Sequence, residues 1–346
     1  MTMDNNTVNP LNTLDTSALL NALQQKNLVY NYNFLYFSNK TTASSGAVDY
    51  QHPDGWVYKD SGSGAQISAY EQHCKIVTSN DSSSVMTFRQ SLHEFPRWEQ
   101  VLLGQHVSAR AVMTMSKNSQ VSITLSDGIN SNTVSSTSDG DITLDLNLQV
   151  DNSATELYIE VQSTSNSAVI DISKIYANIG TVAVESLPCV VSGVIGERKQ
   201  YVATQNPPAE ELSLCNKAGE VASNQTRLDS VLNQRFGKGS NNMSLLPDMR
   251  GYFSRSWDNG SGVDTDASTR EMLGNNQLKG DFVGTSEKDA FLQHQHDLSF
   301  SNMPITLGSA STGTGLNTKV PSNTKPIGGT ETRSKNIAEL YTIKWA

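Results

Sequence analysis

The sequence predicts a mainly β protein whose middle part is an antiparallel β-sandwich, and three observations lead there. Only 17% of the 346 residues are charged, and short neutral polar side chains are abundant, which is typical of turn-rich β proteins. The stretch "DITLDLNLQV" alternates strictly, so that one face of a strand carries Ile142, Leu144, Leu146, Leu148 and Val150. The same alternation recurs in "VSITL" and "LYIEV", and turn-forming stretches such as "SDGINSN" and "DNSAT" separate the strands.

The N-terminal segment, residues 1–30, is predicted to be a helical attachment segment. "DTSALLNALQQKNLV", from Asp15 to Val29, opens with capping residues and places Leu19, Leu20 and Leu23 within one turn of each other. The helix is too short to sustain a coiled coil alone. We expect it to dock on a neighbouring domain, and packing against copies from other chains is the alternative.

Charge and apolar content exclude several classes of function. The chain carries 34 acidic and 25 basic residues, a net charge of −9, so we expect no nucleic-acid partner. "MTMDNNTVNP" lacks the features of a signal peptide and no apolar run approaches the roughly 18 residues of a membrane span. We therefore expect no membrane insertion. The three cysteines are far apart in sequence and predict neither a disulfide framework nor a Cys-based metal site.

Residues 31–186 are predicted to form the sandwich, and their first part, "NYNFLYFSN…QHPDGWVYKD", is distinctive. It resembles the first strands of jelly-roll carbohydrate-binding modules. The resemblance implies that Trp56, Tyr58 or Trp98 stacks on sugar rings, because an aromatic face offers apolar area beside polar groups. Packing of these rings in the core is the other interpretation, since sandwiches routinely bury tryptophan.

A separate C-terminal domain, residues 209–346, is predicted to follow a linker at 187–208. The linker, "LPCVVSGVIGERKQYVATQNPP", ends in paired prolines. "RLDSVLNQRFGKG" then predicts an amphipathic helix from Arg227 to Phe236 that stops at Gly237. The sequence beyond is rich in glycine, asparagine and serine and has little periodicity. A single chain is not expected to build an independent core from it.

Five short blocks then occur in a fixed order over about residues 205–346. They are "SLCNKAGEV", the helix just described, "LLPDMRGYFSRSWDNGSGVD", "DAFLQHQHDL" and "GGTETRSKNIAELYTIKW". Their order resembles that of the phage tail collar family, and an ordered set is more specific than any one block. Two positions depart from the family pattern. Glu210-Glu211-Leu212 replaces a Gly-Trp pair, and Ser334 replaces a proline.

The resemblance implies a homotrimer whose chains intertwine in their distal part. Three chains can bury together apolar surface that one chain cannot bury alone. His294 and His296 are two apart, so in a strand their imidazoles point to the same side. One pair does not complete a metal site, whereas three pairs around a threefold axis supply six nitrogens. In phage-fibre relatives such boxes hold a metal ion, so the resemblance implies a structural divalent ion, Fe or Zn, at His294 and His296.

No enzymatic activity is expected from the motifs. "HEFPR", from His93, begins like a zinc-protease motif, but the position that needs the second histidine holds Arg97. The sequence contains neither GxSxG nor GxxxxGK[ST]. Glu94 and Glu99 are a pair of carboxylates in sequence, yet the sequence gives no separation in space.

These observations predict a structural virion protein of a phage tail fibre or spike, or of a related contractile injection device. It would assemble in the host cytoplasm, reside in the tail fibre or baseplate, contact other tail proteins, and recognise a bacterial surface glycan or lipopolysaccharide. A tail or baseplate connector that binds other tail proteins is the first alternative. A polysaccharide-degrading tail spike is the second.

Overall fold

The computed structural model describes residues 26–38, 52–116, 118–217, 219–289 and 336–346. The chain divides into two compact units, residues 1–286 with 339–346, and residues 287–338. The second unit is described only at 287–289 and 336–338, where the chain has no helix or strand. Most of the predicted N-terminal helix lies outside the described residues. Within the described residues, no helix has the length and apolarity needed to cross a membrane.

Two five-stranded antiparallel sheets form the larger part of the first unit; strands are numbered in chain order. The first sheet has the spatial order β1 (Val57–Lys59), β4 (Met86–Ser91), β9 (Tyr158–Ser163), β6 (Val121–Ser126) and β7 (Ser131–Ser136). The second has the order β2 (Gln66–Tyr70), β3 (His73–Val77), β10 (Val169–Ile179), β5 (His106–Met115) and β8 (Gly140–Gln149). A short helix, α1 (Trp98–Leu102), precedes β5. The predicted mainly β class and the antiparallel sandwich are confirmed.

The core lies between the two sheets, because alternate residues of each strand point inward. In β8 the buried residues are Ile142, Leu144, Leu146 and Leu148, which the sequence pattern predicts. One cluster joins them to Met86 and Phe88 of the first sheet. Inward side chains from both sheets therefore share a single apolar layer.

Residues 26–29, the last part of the predicted helix, are not helical. Asn27 forms an isolated bridge with Cys189, and its side-chain oxygen accepts hydrogen bonds from the backbone of Val29 (3.0 Å) and Ala177 (3.1 Å). Leu28 and Val29 are completely buried in the sandwich core. The prediction of a helix through Val29 is wrong here, because tertiary hydrogen bonds hold this backbone in another conformation.

The predicted linker contributes a strand to a third sheet. This third sheet has three strands, β11 (Arg198–Tyr201), β12 (Glu211–Ser213) and β16 (Leu340–Lys344). β16 lies in the centre and pairs with both of the others. The end of the chain thus pairs with residues that precede the predicted C-terminal domain. A fourth sheet, β14–β13–β15, contains β13 (Glu271–Met272), β14 (Asn275–Lys279) and β15 (Thr285–Ser286), after a 3-10 turn at Ala267–Thr269.

A second apolar cluster lies beneath the third sheet, within a single chain. Its buried members are Tyr30, Val191, Ile195, Leu214, Val221, Leu228, Leu232, Leu246 and Ile343. Tyr30 comes from the N-terminal segment, and its hydroxyl accepts a hydrogen bond from the backbone of Ile195 at 3.2 Å. No local sequence pattern predicts this core, because its members are scattered from residue 30 to residue 343.

Glu211, which departs from the tail collar pattern, has a structural role in the third sheet. It is 5% exposed, and its carboxylate accepts hydrogen bonds from Tyr201 Oη (2.9 Å), Lys199 Nζ (3.0 Å) and Thr342 Oγ1. Burial opposes ionisation of Glu211, but these donors outweigh it and keep the pKa of Glu211 below its ordinary value. These three hydrogen bonds give a structural reason for a buried glutamate at this position, where the sequence departs from the tail collar pattern.

The second helix, α2 (Thr226–Leu232), is shorter than predicted. Asn233 and Gln234 adopt positive φ angles of 44° and 55°, so the helix ends at Leu232 instead of Phe236. The backbone N–H of Gln234 donates to Ser244 Oγ at 2.8 Å rather than to a helical carbonyl. Asparagine tolerates the left-handed conformation better than most residues, which makes Asn233 a suitable helix end.

Glu94 joins the sandwich to α2. Its carboxylate accepts hydrogen bonds from the backbone N–H of Thr226 (2.7 Å), from Thr226 Oγ1 (2.5 Å) and from the backbone N–H of Arg227 (2.8 Å). A side chain from the sandwich therefore caps the N-terminus of a helix that lies 132 residues further along the chain. Both partners are buried, Glu94 at 1% exposure and Arg227 at 0%.

Arg227 is held inside this junction by backbone carbonyls. Its Nη2 donates to the carbonyl of Leu28 at 2.9 Å and its Nη1 to the carbonyl of Glu94 at 3.4 Å. Burial lowers the pKa of Arg227, and the attraction of Glu94 opposes that shift. Because the guanidinium is buried, its interaction with Glu94 is poorly screened by solvent.

Substitution of Glu94 by Ala is expected to lower the free energy of unfolding by about 3–5 kcal/mol, since it leaves the buried Arg227 without its counter-charge and removes the helix cap. Urea denaturation followed by circular dichroism measures the loss. Glu99→Ala is the matched control, because Glu99 is an exposed carboxylate in the first turn of α1, and we expect a change within about 0.5 kcal/mol. Equal effects of the two substitutions would contradict this role of Glu94.

Candidate functional site

Trp56 belongs to the sandwich core and not to a surface site. Its ring is 0% exposed and stacks on Phe88, with ring centroids 4.4 Å apart and planes 8° from parallel. Phe34 packs against both rings. The interpretation of Trp56 as a sugar-stacking residue is therefore wrong, and core packing is correct, because its ring is closed off from solvent.

Tyr58 and Trp98 are both partly buried against the same core. Tyr58 lies opposite Phe88 in the β1–β4 ladder, so its side chain is on the inner face of the first sheet. Trp98 begins α1, and its ring packs edge-on against His93 with centroids 5.0 Å apart. Neither residue lies on the outer face of a sheet.

His294 and His296, the predicted metal ligands, lie outside the described residues. Among the described residues, no group of three or more His, Cys, Asp or Glu side chains is placed to hold a metal ion. The metal site therefore stays a prediction of the sequence.

The outer face of the first sheet is a continuous polar surface, and we call it the polar face. Its outward side chains come from alternate positions of the strands: Val57, Lys59, Thr87, Arg89, Ser91, Ser122, Thr124, Ser131, Thr133, Ser135, Tyr158, Glu160 and Gln162. Neighbouring hydroxyls already bond across the strands, as Thr124 Oγ1 and Thr133 Oγ1 do at 2.8 Å. Hydroxyl, amide and charged groups on the face of a sheet can bind a ligand that is itself rich in hydroxyls.

Arg89 and Tyr158 form a planar stack on the polar face. The guanidinium carbon of Arg89 lies 3.4 Å from the centroid of the Tyr158 ring, and Arg89 Nη2 donates to Glu156 Oε2 at 2.8 Å. About a third of each side chain in the Arg89–Glu156 pair is exposed, 34% and 38%. The stack and the ion pair together fix the orientation of both side chains before any ligand binds.

A cleft of about 400 Å³ opens at one end of the polar face. The sandwich supplies most of its lining, namely Val57, Lys59, Arg89, Ser91, His93, Glu94, Thr155 and Glu156, and the loop before α2 supplies Ser223, Asn224 and Thr226. Ser91 Oγ and Thr226 Oγ1, one from each part, are 3.2 Å apart. The junction around Glu94 therefore also fixes one wall of the cleft.

His93 also lines the cleft. Its Nδ1 lies 3.0 Å from both the backbone nitrogen and the carbonyl oxygen of Leu157, so in the neutral ring Nδ1 accepts from the first in one tautomer and donates to the second in the other. Burial lowers the pKa of His93 and favours this neutral form at physiological pH.

The outer face of the second sheet is different in chemistry. Two polar pairs lie within this sheet: Arg110 Nε donates to Asp145 Oδ1 at 2.6 Å, and His73 Nδ1 lies 3.1 Å from Asp171 Oδ1. Tyr176, an outward aromatic residue of β10, is 2% exposed. We therefore place the candidate site on the polar face and its cleft.

No sequence motif marks Arg89 or Tyr158 as a site residue, and His93 stands only in the incomplete zinc-protease motif, although the sequence contains a signal for Arg89 and Tyr158. The alternation in "LYIEV" assigns Leu157, Ile159 and Val161 to the core, which puts Tyr158 on the opposite face. The same rule puts Arg89 outward in β4. What the pattern does not tell is which outward residues meet across strands, because register is a property of the folded sheet.

The chain is similar in sequence to a known protein. No family model matches the chain. Protein RhiB from Rhizobium leguminosarum bv. viciae is 30% identical over 165 residues, a match that covers 46% of this chain and 74% of RhiB.

Three solved structures are similar to part of the fold. TmCBM61 in complex with β-1,4-galactotriose is 13% identical, covers 45% of this chain and 99% of its own, and has a TM-score of 0.31. The enzymatically active domain of bacteriophage CBA120 tailspike protein 4 is 12% identical, with 40% and 21% covered and a TM-score of 0.29. The CBM22-1 xylan-binding domain of Paenibacillus barcinonensis Xyn10C is 12% identical, with 46% and 97% covered and a TM-score of 0.28. The ligands named for these structures are ligands of those proteins.

Truncation of Trp56 is expected to destabilise the protein more than truncation of Tyr158. Trp56→Ala removes a fully buried ring and should lower the free energy of unfolding by about 3–5 kcal/mol. Tyr158→Ala removes a ring on the polar face and its contact with Arg89, so we expect a loss of about 1 kcal/mol. Urea denaturation followed by far-ultraviolet circular dichroism measures both. A near-neutral Trp56→Ala variant would contradict the core assignment.

Proposed function

We propose that this chain, which belongs to the family of protein RhiB, is a structural protein of a phage tail fibre or spike, or of a related contractile injection device. It forms a homotrimer and attaches the particle to a bacterial surface glycan or lipopolysaccharide, without a covalent reaction. It resides in the tail fibre or baseplate, where it also contacts other tail proteins. The assignment to a tail structure rests on the resemblance of residues 205–346 to the tail collar family.

The observation that carries the glycan-binding part of the proposal is the polar face. It presents hydroxyl and amide groups in rows, an oriented Arg89–Tyr158 stack, and a cleft of about 400 Å³. Sugars offer hydroxyls that such groups bind and apolar ring faces that a flat π-system covers. A surface of this kind needs no rearrangement to bind, because the stack and its ion pair with Glu156 already hold the planar groups.

Weak binding at each copy is sufficient for attachment. A trimer displays the polar face three times, and several fibres on one particle multiply the contacts further. Linked sites exceed the affinity of one site by about 10²–10⁴-fold when all can engage together. The proposal therefore requires a shallow site that is repeated, as the polar face is in a trimer.

Exposed aromatic side chains near residues 250–260 support association between chains. Tyr252 is 40% exposed, Phe253 61% and Trp257 48%, and the nearby Val263 is 82% exposed. Apolar side chains of this size that are exposed close together in sequence are typical of interaction surfaces. Two further copies of the chain would cover them in a homotrimer.

A connector in the tail or baseplate is the second candidate. The same aromatic residues that support a trimer would also suit contact with a different tail protein. The two candidates differ in the role of the polar face, which binds glycan only in the first.

A glycan array probed with the whole chain tests the receptor role. We expect binding to a restricted set of bacterial surface glycans, and a loss of about tenfold for Tyr158→Ala, which corresponds to about 1.4 kcal/mol. Arg110→Gln is the control, because Arg110 belongs to an arginine–carboxylate pair on the other sheet. Binding to tail proteins without binding to any glycan would favour the connector.

Native mass spectrometry with elemental analysis tests the trimer and its metal. We expect a trimer that carries about one divalent ion per three chains, bound through His294 and His296. Joint substitution His294→Ala and His296→Ala should remove the ion, whereas His106→Ala, at an exposed position in β5, should not. A monomer without metal would refute both parts of this proposal.

A further inference from the structure

We infer that the cleft at the end of the polar face binds an acidic sugar unit, one whose ring carries a carboxylate or a phosphate group. The inference rests on the proposed glycan-binding function and names the class of sugar. The cleft, at about 400 Å³, lies at the low end of the roughly 300–1,000 Å³ range of ligand pockets. That volume suits one or two sugar units rather than a long chain.

Lys59 provides the positive charge that a neutral sugar would not need. Its side chain is exposed on β1 at the rim of the cleft, and within the described part of the chain it has no ion-pair partner. Most other basic groups on the sandwich surface are paired, as Arg110 is with Asp145 and Lys174 with Glu185. An ammonium group left unpaired beside a concave surface attracts an anionic ligand.

Arg89 adds further donors to the lining of the cleft. The Arg89 guanidinium has five N–H groups, and the bond to Glu156 uses one of them. The imidazole of His93 also lines the cleft. The exposed side chains of Ser223 and Asn224 line the cleft from the loop before α2 and offer a hydroxyl and an amide.

The two carboxylates in the cleft do not cancel this charge. Glu94 uses both of its oxygens on the N-terminus of α2, where buried Arg227 lies beside it. Glu156 is engaged by Arg89 through Oε2. After these pairings the uncompensated charge is that of Lys59, and the free hydrogen-bonding groups are mainly donors. An anionic group with several acceptor oxygens matches this set.

The cleft needs residues from the sandwich and from the loop before α2. Lys59, Arg89 and His93 belong to the sandwich, whereas Asn224 lies in the loop whose position Glu94 fixes. The sandwich alone would present an open surface with one wall missing. The site is thus built by the packing of the two parts, and the whole chain is the appropriate material for a binding experiment.

Matched pairs of acidic and neutral oligosaccharides test the inference on the whole chain. One arm uses uronate-containing oligosaccharides and the same oligosaccharides after chemical reduction of their carboxyl groups. The other uses phosphate-bearing oligosaccharides and their dephosphorylated forms. We expect at least about tenfold tighter binding, or about 1.4 kcal/mol, to the acidic member of one pair. The arm that shows the preference identifies the anionic group.

Variants locate the binding to the cleft. Lys59→Gln should reduce binding to the acidic member about tenfold and leave binding to its neutral partner unchanged. Asn224→Ala should weaken binding to the acidic member less. Arg110→Gln, on the other sheet, should leave both unchanged. Because Lys59 and Asn224 are exposed, we expect both variants to fold. A thermal unfolding midpoint equal to that of the wild-type protein confirms that each variant is folded.

The outcomes separate this inference from the proposed function. Equal or stronger binding to the neutral members, or an unchanged Lys59→Gln variant, would overturn the acidic-sugar inference and leave glycan recognition standing. Absence of binding to these oligosaccharides and to every glycan of the array would overturn both. Loss of the acidic preference in Lys59→Gln alone, with the array profile of neutral glycans retained, would support it.

Discussion

The contact between Glu94 and the start of α2 is the constraint on which much of the first unit depends. One carboxylate from the sandwich accepts hydrogen bonds from Thr226 and from the backbone of Arg227. The guanidinium of Arg227 then donates to the carbonyl of Leu28, in the segment ahead of the sandwich. Segments distant in sequence thus meet at one buried, charged point. A misplaced chain would leave these groups without partners, which favours one arrangement strongly.

This contact also shapes the surface that we propose binds sugar. Glu94 follows β4 closely, so the strand that places Arg89 and Ser91 on the polar face leads directly into the group that holds α2. The loop with Asn224 is thereby kept above the sheet as a wall of the cleft. The "HEFPR" stretch, whose similarity to a zinc-protease motif ends at Arg97, supplies the imidazole of His93 to the lining of the cleft and a structural cap in Glu94.

The alternating pattern predicted the sandwich well because burial of one face of a strand requires period two, which is visible in one strand alone. The inward residues of β8 are those that the pattern assigns. Helix ends were harder to predict. α2 stops at Leu232 because Asn233 turns left-handed and Ser244 binds the next backbone donor, and Ser244 is ten residues away from that donor. The predicted linker became a strand because β16 lies beside it.

The sequence by itself determined the mainly β class, the antiparallel sandwich and the inward face of its strands, since these follow from the local order of apolar and polar residues. It also provided the pair His294 and His296, which lie outside the described residues. Only the tertiary structure decided that Trp56 is a core residue, that Arg89 stacks on Tyr158, and that the loop at Asn224 closes a cleft. These facts depend on strand register and on contacts between residues far apart in sequence, and the pattern of one strand contains neither.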